Sequence, residues 1–124
     1  MTARRGERVE VCFVIGRGGA ILWADASDSA TALPDSRARW EAIWHHRAEL
    51  EAIAHSHPVG PAAFSAEDES TMQAIDGALG RELRYYVVAP RRTIGRTGGR
   101  TEVVTPEPWW AGLLRLASGM QQGD

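Results

Sequence analysis

The chain contains no lysine: all fourteen of its basic residues are arginine. A compositional habit of the genome is the plain explanation. A sharper one is that a protein handling lysine-conjugated tags gains by offering no acceptor lysine. Cysteine is nearly absent too. Cys12 stands alone, so no intrachain disulfide is available and a reducing compartment fits. There is no basic surplus either. A net charge of −2 argues against a dedicated nucleic-acid binder, which needs positive charge to neutralise phosphates. Long apolar runs are also missing. The opening Met-Thr-Ala-Arg-Arg-Gly-Glu-Arg leads into a short apolar stretch with no small-residue cleavage site, neither a secretory signal nor a membrane span. A cytoplasmic protein with no membrane attachment is expected.

The 124 residues, 44% apolar and 24% charged, suit one soluble domain with its own core and no internal repeat. Residues 8–15 are β-branched and aromatic, so they predict a strand. The glycines of 16–19 predict a turn, and residues 20–24 a returning strand. After a small, polar loop (25–34), Asp35 is placed to cap a helix of roughly three turns. Trp40, Ile43 and Trp44 form its buried stripe. Residues 49–55 alternate like a half-buried strand, and Pro58 to Pro61 break it. Ser65 opens a helix with Met72, Ile75 and Leu79 inside, and Gly80 closes it. Residues 83–89 predict a strand, 91–100 a short strand and turn, and 101–105 a last strand. Pro106 and Pro108 lead into a helix carrying Trp109, Trp110, Leu113, Leu114 and Leu116. The tail, 118–124, is expected to fray.

Chemistry concentrates between His55 and Asp68. Residues i and i+2 of a strand point the same way, so His55 and His57 can converge on one ion. Asp68, in the first turn of the next helix, is the natural third ligand of a zinc-like site, although ligand type alone leaves iron or cobalt open. A competing explanation needs no metal: in Ser65-x-x-Asp68 the serine caps the helix and the acid sits in its first turn. That explanation leaves the position of the histidines, at a strand end just upstream, unaccounted for.

Residues 55–68, beginning His55-Ser-His-Pro, match His-x-His-x7-Ser-x2-Asp without a gap. The stretch resembles the JAMM motif of the MPN-domain (JAB) metalloproteases. The resemblance implies an α/β fold: a single cytidine-deaminase-like domain over 1–124, its central mixed β-sheet flanked by helices. It also implies a bound Zn2+ held by His55, His57 and Asp68, with water as fourth ligand. The family's upstream glutamate is matched by Glu10, in Glu10-Val-Cys-Phe-Val-Ile-Gly16, although Phe13 stands where glycine is frequent. Glu7 lies outside that match, and Glu49 and Glu51 stand too near the histidines. By resemblance, Glu10 is the general base and then acid of amide hydrolysis, and Ser65 donates to the developing oxyanion. The implied partner is a ubiquitin-like or sulfur-carrier protein with a Gly-Gly C-terminus. A non-catalytic MPN scaffold is the alternative, but scaffold members lose metal ligands that this chain keeps.

Two further departures stand out. Only nine residues precede Glu10, too few for the family's leading helix, so the tryptophan-rich helix at 107–117 is expected to cover that sheet face or pack against a second copy in a homodimer. An ordinary amphipathic end helix would instead bury both Trp109 and Trp110 within one chain. Phe64 replaces the proline that often precedes the serine. Arg81, Arg84, Arg91, Arg92, Arg96 and Arg100 face only Glu82 in the sequence, which reads as a solvated hairpin more readily than as a surface for an acidic partner. His45 and His46 suit surface or capping roles.

Overall fold

The computed structural model describes residues 7–120. Strand β1 (Val11–Gly16) is buried along its whole length. Its apolar residues on both faces require cover on both sides, so it lies inside the sheet. A single 3-10 turn at Arg17–Gly19 returns the chain into the edge strand β2 (Ile21–Ala26). Strand β3 (Leu50–Ser56) runs antiparallel to β1 on its other side. Helix α2 (Ala66–Leu79) crosses over and delivers β4 (Arg84–Val88) parallel to β3. Strands β5 (Thr93–Thr97) and β6 (Arg100–Val103) follow as an antiparallel hairpin. Gly98 and Gly99, with φ of 56° and 81°, make its two-residue turn, where a side chain would be strained. The sheet order is β2-β1-β3-β4-β5-β6, a mixed sheet of six strands.

Helices cover both faces. On one, α1 (Arg37–His45) and α2 pack Ile43, Met72 and Ile75 against Cys12, Val14, Ile53 and Tyr85. On the other, α3 (Trp109–Ala117) packs Trp110, Ala111 and Leu114 against Val11, Phe13, Ile15, Ala54 and Val88. The C-terminal helix therefore does cover the face that lacked an expected cover. It is not an ordinary amphipathic helix, because Trp109 (63% exposed) and Leu116 (64%) leave an apolar stripe outside. Trp109 lies over the turn after β1 and donates its indole N–H to the Gly19 carbonyl at 3.2 Å. Among the described residues, no helix is long and apolar enough to cross a membrane.

Several local expectations are corrected. The cap of α1 is Ser36, whose hydroxyl accepts from the Arg39 N–H at 3.2 Å, and not Asp35. The buried stripe is Arg39, Ala42 and Ile43, one residue out of phase with Trp40, Ile43 and Trp44. Arg39 turns the helix: its guanidinium binds both Asp25 carboxylate oxygens, at 3.2 and 2.9 Å, and the Pro34 carbonyl at 3.2 Å. Trp44 is rotated outward, its ring under the Arg47 guanidinium at 4.0 Å. Strand β3 is an interior strand, buried along its length except at Glu51 and, in part, at His55, where a half-buried strand was expected. The tail is not frayed from its start, since Ser118 is fully buried and Met120 nearly so; residues 121–124 lie outside the described chain.

Candidate metal centre

The centre forms where β1 begins, β3 ends and α2 starts. Cys12 stands opposite His55 in the antiparallel ladder, so continuing that register sets Glu10 opposite His57. Parity then turns Glu10, Cys12 and His55 to one face, the face of α2. The backbone of Glu10 is held from the β2 side: its N–H donates to the Ser29 carbonyl at 2.8 Å, and its carbonyl accepts from the Ser27 N–H at 2.9 Å. Ser65 caps α2 by accepting from the Asp68 N–H at 3.0 Å, while Asp68 Oδ2 accepts from the Ser65 N–H at 2.8 Å. This reciprocal box brings the Asp68 carboxylate over the histidines.

All five sequence-predicted residues come together. His55 Nε2 and His57 Nε2 are 3.1 Å apart. Asp68 Oδ1 lies 3.2 Å from the first, and Asp68 Oδ2 lies 3.5 Å from the second. One ligand atom from each of Glu10, His55 and His57 lies within 4.8 Å of the others, a group that could hold a metal. His57 Nδ1 must donate to the Pro61 carbonyl, 2.9 Å away, because a carbonyl only accepts. The neutral ring then carries its free lone pair on Nε2, facing the cluster, and the loop carbonyl fixes that orientation.

The donor set fits a small divalent ion. Tetrahedral zinc with bonds of about 2.0–2.1 Å needs ligand atoms roughly 3.3 Å apart. The two imidazole nitrogens are 3.1 Å apart, and each has its own Asp68 oxygen, Oδ1 at 3.2 Å from His55 and Oδ2 at 3.5 Å from His57. Two imidazole nitrogens and a carboxylate also suit zinc, iron or cobalt better than magnesium or calcium.

Burial dominates the electrostatics of Glu10 and, with the charges of Asp68 and Glu67, outweighs the pull of His57, lifting its pKa from 4.5 to about 7. Burial works the same way on Asp68. There, the bonds that His55, protonated His57 and the Ser65 N–H make to the carboxylate win, holding the carboxyl well below its usual range. His57 loses by burial but gains more from Asp68, the Pro61 carbonyl and Glu10, so its pKa rises.

The five residues line one side of a cavity of about 700 Å³, walled by Leu33, Arg39, Phe64 and Tyr85. Phe64 packs edge-on to His55, with ring centres 6.5 Å apart, and Arg96 lies over its other side at 4.9 Å. Arg96 also binds Glu69 on α2 with two guanidinium nitrogens. The arginine run therefore does not face Glu82 alone: Arg81 donates to the Arg47 and Leu50 carbonyls, and Arg100 pairs with Glu102 at 3.3 Å. Sequence reasoning gave no role to Arg96 or Ser56. Arg96 carried no signal because its partner is 27 residues away; Ser56 was visible in the motif but faces away from the histidines.

The arrangement defines an α/β domain with a histidine–carboxylate centre lining a cavity. The family model of prokaryotic homologs of the JAB domain matches residues 2–104, and the chain belongs to that family. The family includes metalloproteases. No curated protein matches the chain.

Proposed function

We propose that the protein is a zinc-dependent peptidase that hydrolyses the amide bond following the C-terminal Gly-Gly of a ubiquitin-like or sulfur-carrier protein. The observation that carries this reading is the convergence of His55, His57 and Asp68 beside a buried glutamate with a pKa of about 7. His55, His57 and Asp68 would hold the ion, with Glu10 facing it from the position just before β1. A bound divalent ion supplies Lewis acidity, which both acidifies water and polarises a carbonyl.

The chain's own residues do the rest. Glu10, poised to exchange a proton near neutrality, takes one from the attacking water and passes it to the departing amine nitrogen. The Ser65 oxygen already accepts from the Asp68 N–H, so its hydroxyl proton is free to donate to the carbonyl oxygen as charge develops there. Leu33 and Phe64 contribute apolar wall to the same cavity. A flexible Gly-Gly tail suits the approach, since it brings no side chain to the metal.

Metal analysis of the purified protein is the first test. One zinc per chain is expected, lost in His57→Ala. Protein that takes up no zinc from a zinc-buffered solution overturns the reading.

A further inference from the structure

Strand β1 ends its ladder with β3 at Cys12, two residues short of Glu10. Past that point side-chain hydroxyls replace the strand bonds. The Val11 N–H donates to Ser56 Oγ at 2.9 Å, and Ser56 Oγ lies 2.8 Å from Ser118 Oγ. Ser118 Oγ is also in a short hydrogen bond to the Val9 carbonyl. A carbonyl only accepts, so the Ser118 proton goes to Val9 and the Ser56 proton goes to Ser118. The one competing arrangement, Ser56 to the Val9 carbonyl at 3.5 Å, sits at the limit of a hydrogen bond. The chain of bonds thus runs from the amide after Glu10 to the carbonyl before it. The Val9 N–H adds a backbone bond to the Ser118 carbonyl at 3.0 Å. Both serines are fully buried.

We propose that Ser118, with Ser56, is a positioning residue for Glu10, and that the end of α3 is thereby part of the centre. The inference rests on the reading of Glu10 as the proton-transferring group. The two hydroxyls hold the β3 side of the Glu10 backbone as Ser27 and Ser29 hold the β2 side, so its carboxylate stays aimed across the sheet end at His57. Buried hydroxyls that satisfy one another resist displacement, because breaking any bond strands a polar group without water. Ser118 lies beyond residues 2–104, the part that the family model matches. Helix α3 therefore has two jobs: it covers the sheet with Trp110 and Leu114, and it delivers Ser118.

The test uses the full chain loaded with zinc and a Gly-Gly-linked fusion as substrate. Ser118→Ala and Ser56→Ala are each expected to lower kcat at least tenfold, with KM and zinc affinity within twofold of wild type. Ser118→Cys keeps the volume but donates poorly, so it should behave like the alanine variant and carries the test if that variant does not fold. Amide hydrogen exchange supplies a readout independent of turnover. In Ser56→Ala, Val11 should exchange at least tenfold faster while Val14, deep in β1, is unchanged. Val14 accelerating in step with Val11 would indicate a merely structural role and overturn the proposal. If wild type binds zinc and cleaves while the serine variants match its kcat, this inference alone is overturned. Wild type that neither binds zinc nor cleaves overturns the functional reading and this inference with it.

Discussion

Ser65 and Asp68 bond each other twice, backbone to side chain in both directions, and the same Asp68 carboxylate reaches His55 at 3.2 Å. Helix capping and ligand placement are therefore one arrangement. The box orients Asp68, and the serine hydroxyl proton remains available to a substrate. Ser65→Ala removes a cap and a donor together. Stability should fall by about 1 kcal/mol in thermal melts, and kcat on the order of a hundredfold. Ser65→Asp restores a cap without a donor, so it should recover the stability and none of the activity. Recovery of both would refute the role given to the hydroxyl.

Glu10 predicts an unusual pH dependence of folding, measured with a chelator present. Its folded pKa of about 7 lies above the ordinary 4.5, so the native state binds the proton more tightly than the unfolded chain does. By linkage its contribution is fully present below pH 4.5 and lost as pH rises to about 7. Glu10→Gln should abolish that loss, making the protein more stable than wild type at pH 8 by of order 2 kcal/mol. Asp68 acts oppositely: its depressed pKa stabilises above pH 3.8, and that stability is lost as pH falls. Denaturant titrations of both proteins at pH 5 and pH 8 check the sign.

Zinc should stabilise the folded chain by mass action, because three ligands from two elements meet only in the native state. At zinc a hundredfold above its Kd the gain is about 2.7 kcal/mol. A rise in Tm of several degrees is expected for wild type and none for His57→Ala. Equal shifts in both would place the metal elsewhere.

Removing residues 106–124 uncovers Val11, Phe13, Ala54 and Val88, an apolar face that α3 otherwise fills. Aggregation or loss of cooperative melting is the expected outcome. The point variant Leu114→Ala, at a fully buried site, should cost about 2–5 kcal/mol and stay folded at low temperature. A truncated chain that remains soluble and melts cooperatively would show that α3 is dispensable as cover.

The parts of this molecule that were legible in its sequence are those set by local rules. Residue type and turn residues located the six strands to within a few positions, and the match of His55 to Asp68 to the JAMM spacing set both on one centre. Glu10 could be chosen because Glu10-Val-Cys resembles the family's glutamate strand, and parity with Cys12 and Val14 set it on the buried face. Where a distant partner decides, local rules fail. Arg39 turned α1 by one residue because Asp25, on another strand, holds its guanidinium. Trp44 was sent outward by that rotation. Ser118 looked like the start of a loose tail because its partners, Val9 and Ser56, are 109 and 62 residues away. Nothing in a short polar C-terminus announces that a strand 100 residues earlier lacks a hydrogen-bond partner.

The most direct measurement compares wild type with Glu10→Gln, each assayed for bound zinc and for cleavage of a ubiquitin-like protein joined through Gly-Gly to a reporter. One zinc is expected in both proteins, with cleavage after the second glycine by wild type alone. Cleavage by Glu10→Gln at the wild-type rate, or a wild-type chain that carries zinc and leaves the fusion intact, would contradict that expectation.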